Sequence, residues 1–141
     1  MLQYKTWYWA AVVFQLLTSA LHSLSFFNDP APVNESERVL FDLMRHYRRD
    51  LGGMSVSTEE LMTALSACFT LLYLFGGLLN AYLLRRSKDE ALLRGVLKIN
   101  LLVFGICFVV MAAFTFPPPI VLTGLVAFCL AIAFLRTRFF H

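Results

Sequence analysis

The sequence predicts an all-α fold: an integral membrane four-helix bundle with both termini cytoplasmic and an amphipathic helix in the outer loop between the first and second helices. Three observations lead there. Hydrophobic residues make up 59% of the 141-residue chain and charged ones only 15%, against roughly 45–50% and about 25% in soluble domains, so too few charges remain to coat a water-facing surface. The apolar residues are gathered into long charge-free runs, and Lys and Arg are shared unequally between the segments that join them. A net charge of +3 is too small to suggest nucleic-acid recognition. The bilayer itself is the first partner expected.

The first run, 6–28, has 23 residues without a formal charge, enough to cross a hydrocarbon core of about 30 Å at about 1.5 Å per residue. It is long for the apolar region of a signal peptide, so it is read as a permanent first helix. Tyr4, Trp7, Tyr8 and Trp9 at its start read as an interfacial aromatic anchor. Pro30 and Pro32 end the helix and open the loop 29–57.

Within that loop Asn34 or Ser36 is a capping residue. Beyond it Val39, Leu40, Leu43, Met44, Tyr47 and Leu51 fall within an arc of about 140°, with Arg38, Asp42, Arg45 and Arg49 opposite. The pattern predicts an amphipathic helix of about four turns, stopped by Gly52 and Gly53. Its apolar side is suited to the membrane surface, to the end of the bundle or to a protein partner, which includes a second copy of the chain. Asn34-Glu35-Ser36 is a glycosylation sequon, meaningful only in a eukaryotic secretory pathway.

The second helix is placed at 58–84, followed by a cytoplasmic loop at 85–94. The next run, 99–135, holds 37 residues and as one helix would be about 55 Å long, so Pro117, Pro118 and Pro119 must divide it. This gives a third helix at 95–116, a fourth at 119–135 and a cytoplasmic tail at 136–141. The fourth helix is short, which favours a thinned bilayer around it or continuation into Phe139 and Phe140. Lys5, Arg85, Arg86, Lys88, Arg94, Lys98, Arg136 and Arg138 lie on one side, and only Arg38, Arg45, Arg48 and Arg49 on the other. The positive-inside rule then puts both termini in the cytoplasm.

Polar side chains in hydrocarbon turn toward the bundle interior, so their spacing reports the packed faces. Glu59, Thr63, Ser66, Thr70, Tyr73, Gly77 and Asn80 alternate at spacings of four and three along helix 2, the pattern of a left-handed packing seam. Helix 1 answers with Gln15, Thr18, Ser19 and His22, and helix 4 offers Gly124, Ala127 and Ala131 for close approach. These residues form either interhelical contacts or the lining of a ligand site. At the outer mouth His22 faces Glu59 and Glu60. A carboxylate beside an imidazole suits acid/base chemistry or ligand binding, whereas the plainer alternative makes the glutamates first-turn charges behind a Ser57 or Thr58 cap. Near the cytoplasmic face Asn80, Lys98 and Asn100 should come level, the asparagines joining helices and the lysine reaching the interface.

Cys68, Cys107 and Cys129 show no Cys-x-x-Cys spacing and read as small apolar residues. No metal site or cofactor is expected, and phosphate-loop, zinc-protease and nucleophile-elbow motifs are missing from the sequence. The stretch Leu21-His22-Ser23 to Phe26-Phe27, residues 30–44, Phe75-Gly76-Gly77-Leu78-Leu79-Asn80 and residues 114–120 together resemble an uncharacterised family of small bacterial four-helix integral membrane proteins, over most of the chain. That resemblance implies the bacterial inner membrane and carries no activity. The expected function is a non-catalytic accessory subunit or interaction module. The alternative is a lipid-like small-molecule binding protein or enzyme with an outward pocket near His22 and Glu59. A transporter is disfavoured, because no charged side chain is expected at mid-depth of a helix.

Overall fold

A computed structural model describes residues 2–28 and 31–138. Asp29, Pro30 and the tail from Phe139, to which sequence reading gave roles, lie outside the described residues. The chain forms five α-helices and one hairpin: α1 (Leu2–Leu24), α2 (Glu35–His46), β1 (Arg48–Leu51), β2 (Met54–Ser57), α3 (Thr58–Arg86), α4 (Glu90–Phe114) and α5 (Pro117–Arg138). A single 3-10 turn, Ser25–Phe27, extends α1. The four helices α1, α3, α4 and α5 are each long and apolar enough to cross a membrane.

Local chemistry sets the boundaries. Asp89 accepts hydrogen bonds from the backbone N–H groups of Ala91 and Leu92 at 2.9 and 3.1 Å, so α4 starts at Glu90, ahead of the expected 95. Thr115 closes it by donating its N–H to the Met111 carbonyl. Pro117, Pro118 and Pro119 then form the first turn of α5, where a missing N–H costs nothing because no intrahelical acceptor exists there. The prolines therefore start the helix as well as breaking the run. With 22 residues, Pro117–Arg138, α5 starts two residues earlier and runs three residues further than the expected 119–135, and at about 33 Å it is long enough to cross a bilayer without thinning.

The amphipathic helix is also shorter than periodicity suggested. Asn34 caps α2 through Glu37 N–H at 2.9 Å, but the helix ends at His46, and Tyr47 is extended. Gly52 and Gly53, with φ of 62° and 84°, form a tight turn that needs left-handed backbone at both central positions. They join β1 to β2 with Arg48 opposite Ser57 and Leu51 opposite Met54. The glycines thus turn a hairpin, and Leu51 belongs to a strand. β2 leads directly into a capping box: Ser57 Oγ accepts from Glu60 N–H at 3.2 Å, and the Glu60 carboxylate accepts from Ser57 N–H at 2.8 Å.

In the bundle α1 packs between α3 and α5, and α4 packs along α5. Tyr8, Ala11, Tyr73, Leu97, Phe104, Val126, Leu130 and Ala133 form the core. All buried residues of α3 lie between Tyr73 and Asn80, and those of α4 between Leu93 and Phe104. The core thus sits toward the end holding the termini, and the helices are less covered toward the hairpin. Gly77 permits the α1–α3 approach, since a Cβ there would lie 2.7 Å from the Leu16 side chain, and Gly76 makes room for the Phe104 ring of α4, which a Cβ would meet at 2.7 Å.

Gly77→Leu should therefore cost about 1–3 kcal/mol by overpacking, whereas Leu72→Phe, on an exposed site, should leave the detergent melting curve unchanged. Equal curves for the two variants would remove Gly77 from the packing contact.

Candidate functional site

The most concentrated polar chemistry inside the bundle is a cluster of amides. Asn80 of α3 and Asn100 of α4 pair reciprocally, Nδ2 to Oδ1, at 2.8 and 3.1 Å. Tyr8 of α1 donates its hydroxyl to Asn80 Oδ1 at 2.8 Å, and Asn80 Nδ2 donates to Gln15 Oε1 at 3.1 Å. Gln15 Nε2 returns a longer bond of 3.5 Å to Asn100 Oδ1, and Asn100 Nδ2 also donates to the Val96 carbonyl at 2.9 Å. Tyr8 and Gln15 are fully buried, and Asn80 and Asn100 nearly so. A primary amide has two donor protons and two acceptor lone pairs. Both asparagines use all four, which leaves them no free hydrogen-bonding capacity for a ligand.

This placement follows from helix geometry. Asn80 lies six residues before the end of α3, roughly 9 Å in from that end, and Asn100 lies ten residues into α4. The short turn at 87–89 folds the two helices back so that these positions meet. Lys98, two residues before Asn100, turns to the exposed side of α4 and does not join the cluster, as its expected level with the asparagines had suggested.

The remaining seam residues divide by depth. Tyr73 is buried between Phe69 and Phe104, with ring centroids 4.7 and 4.9 Å away, and its hydroxyl contacts Cys107 Sγ at 3.4 Å. Ser19 donates across to the Thr70 carbonyl at 3.1 Å. Thr18 and Thr70 bond instead to carbonyls of their own helices, Phe14 and Ser66. Ser66 is half-buried and Thr63 exposed, because α3 is poorly covered there.

His22 and Glu59 have different partners. The His22 ring stands edge-on to Phe69 and Phe26, at 4.9 and 6.0 Å. Glu59 takes the Arg45 guanidinium of α2, at 2.9 and 3.2 Å, and Glu60 takes Arg48 of β1 while closing its capping box. These ion pairs fix α2 and the hairpin onto the start of α3. On α2 itself the Arg38 guanidinium holds the Glu35 carboxyl below the usual carboxylate range by hydrogen bonding. Among the described residues, no three His, Cys, Asp or Glu side chains converge as metal ligands.

Sequence reasoning did not bring Tyr8 to the amide cluster and did not foresee the contacts at the termini end. There Glu90 accepts from Lys5 at 2.7 Å and from the Tyr4 hydroxyl, joining α1 to α4, and Arg136 bonds Gln3, joining α5 to α1. Tyr4 and Tyr8 are buried, which corrects their reading as interfacial anchors. The missed signal is spacing: Tyr8 lies seven residues before Gln15, on the face that Gln15, Thr18 and Ser19 already marked. Comparisons with protein-family models, curated proteins and solved structures give no match.

Removing Asn80 or Asn100 strands the other amide, so each alanine variant should lose about 1–2 kcal/mol, the range of interhelical hydrogen bonds in membranes. Asn80→Ala with Asn100→Ala should lose less than the sum of the singles. Reversible unfolding in mixed micelles measures this, and strict additivity would show that the two amides are not coupled.

Proposed function

We propose that the chain is a non-catalytic subunit of a membrane complex, oriented with both termini in the cytoplasm and docking through the outward face of α2. The observation that carries this reading is a row of Val39, Leu40 and Leu43, each about half exposed, on a helix fixed in place by the Arg45–Glu59 ion pair. A short amphipathic helix with no buried residue gains little from its own fold by holding that row outward, and a preorganised apolar row lowers the entropic cost of docking. The saturated amide cluster supports the non-catalytic part, since its polar atoms are engaged with one another. The orientation rests on the eight basic residues at one end against four at the other, and the bacterial inner membrane is the setting implied by the sequence resemblance.

A second reading draws on an open groove of about 470 Å³ between the turn that extends α1, helix α2 and the start of α3, lined by Phe27, Met44 and Met62 together with Asn28, Arg45 and Glu59 among others. Walls of mixed apolar and polar side chains that include a charged pair suit an amphiphilic small molecule. In this reading Glu59 contributes to the groove through its pair with Arg45.

A photo-reactive residue at Leu43 in intact cells should give a protein adduct of one discrete size, and the same residue at Asp42 should not. An adduct at twice the chain mass identifies a second copy, whereas lipid adducts alone from both positions would remove the docking reading. Impermeant thiol labelling of Ser36→Cys from outside and Ser87→Cys from inside, in a variant lacking the native cysteines, checks the orientation.

A further inference from the structure

Arginine is paired differently at the two ends of the bundle. At the hairpin end three of the four arginines, Arg38, Arg45 and Arg48, are matched to Glu35, Glu59 and Glu60, and Arg49 donates to the Thr58 hydroxyl. At the α3–α4 corner, Arg85, Arg86 and Lys88 have no acidic partner among the described residues. The nearby acids are occupied: Glu90 holds Lys5 and Tyr4, and Asp89 caps α4. Three cations within four residues therefore remain uncompensated on the protein.

These charges head a groove of about 580 Å³ along one face of α3, lined by Leu78, Ala81, Tyr82, Arg85 and Arg86. Residues 78, 81, 82 and 85 fall at i, i+3, i+4 and i+7, one continuous stripe of helix surface. The stripe is apolar at Leu78 and Ala81, amphipathic at Tyr82, which is 62% exposed, and cationic at its end. Arg85 also lies over the Trp9 ring, 5.5 Å from its centroid, so the guanidinium is held beside an aromatic of the kind that favours the headgroup level.

We propose that this groove is a binding site for an anionic phospholipid, with the phosphate held by Arg85 and Arg86 and an acyl chain running past Tyr82 onto Ala81 and Leu78. Phosphate suits guanidinium because its oxygens accept paired N–H donors. A phospholipid is the occupant because the groove orders its chemistry as a lipid does, head beyond tail, along a helix long and apolar enough to cross the membrane. Lys88, one turn further out, adds to the attraction for a negatively charged leaflet. The site depends on neither the docking reading of α2 nor the orientation of the chain.

The test uses the full chain in neutral detergent, with native mass spectrometry of bound phosphatidylglycerol and phosphatidylcholine. The wild type should retain phosphatidylglycerol preferentially. Arg85→Gln with Arg86→Gln should cut that preference roughly 30-fold, the effect of removing two interfacial cations. Arg86→Gln alone spares the Trp9 contact and should remove part of the preference with an unchanged melting curve in phosphatidylcholine. Arg38→Gln at the hairpin end should change nothing, and inorganic phosphate at equal concentration should not displace the lipid. Equal retention of both lipids by the wild type, undiminished preference in Arg86→Gln and in the double variant, or an equal loss in Arg38→Gln would overturn the proposal. Displacement by inorganic phosphate would overturn it as well, by showing a bare anion site.

Discussion

The reciprocal amide pair of Asn80 and Asn100 is the contact on which the arrangement of this bundle depends. α1 and α5 are joined to their neighbours by extended apolar packing, but α3 and α4 approach each other less closely along their length. Between them the tie is made by side chains: the Asn80–Asn100 pair and the edge-to-face contact of the Tyr73 and Phe104 rings. Interhelical hydrogen bonds matter more where apolar association is weak, because lipid tails solvate a leucine as well as another helix does. Gln15 and Tyr8 extend the pair onto α1, so one polar cluster sets the relative position of three helices.

Saturation gives that cluster its character. An amide with spare donors in a low-dielectric core would be costly and would invite a ligand or water. Asn80 and Asn100 have none spare, and the function proposed for the chain accordingly moves to its ends. Toward the hairpin the helices lose mutual cover, the ion pairs Arg45–Glu59 and Arg48–Glu60 hold α2 and the strands against α3, and an apolar row faces outward. At the α3–α4 corner Arg85, Arg86 and Lys88 have no acidic partner among the described residues. The two ends therefore differ in the kind of surface they offer, apolar and internally neutralised at one, cationic at the other.

Much of this was legible before the structure. Charge-free length located the four long helices, and the three-four spacing on helix 2 included Tyr73, Gly77 and Asn80, all of which are buried. The same spacing carried on through Thr63 and Ser66, where the core has already ended, since periodicity reports which face of a helix is polar but not how far along it another helix follows. Leu51 fitted the helical arc of α2 by the same limitation, because a few residues of strand can satisfy a helical period. The Gly52-Gly53 pair and the alternation in Met54-Ser55-Val56-Ser57 carried the hairpin signal.

The sequence by itself determined the class of the fold and the starts of two helices, because hydrocarbon thickness sets a minimum apolar length and because capping is decided within a few residues, as at Asn34 and Ser57. Only the tertiary structure decided which partner each polar group takes. His22 went to Phe69 and Phe26, Glu59 to Arg45, Lys98 to the exposed side and Tyr8 to Asn80. The physical reason is that a hydrogen bond or ion pair requires approach to about 3 Å, whereas helix periodicity fixes only direction around an axis. Helix crossing and depth, set by Gly77 against α1, by Gly76 against Phe104 of α4 and by the short turn between α3 and α4, supply that last distance.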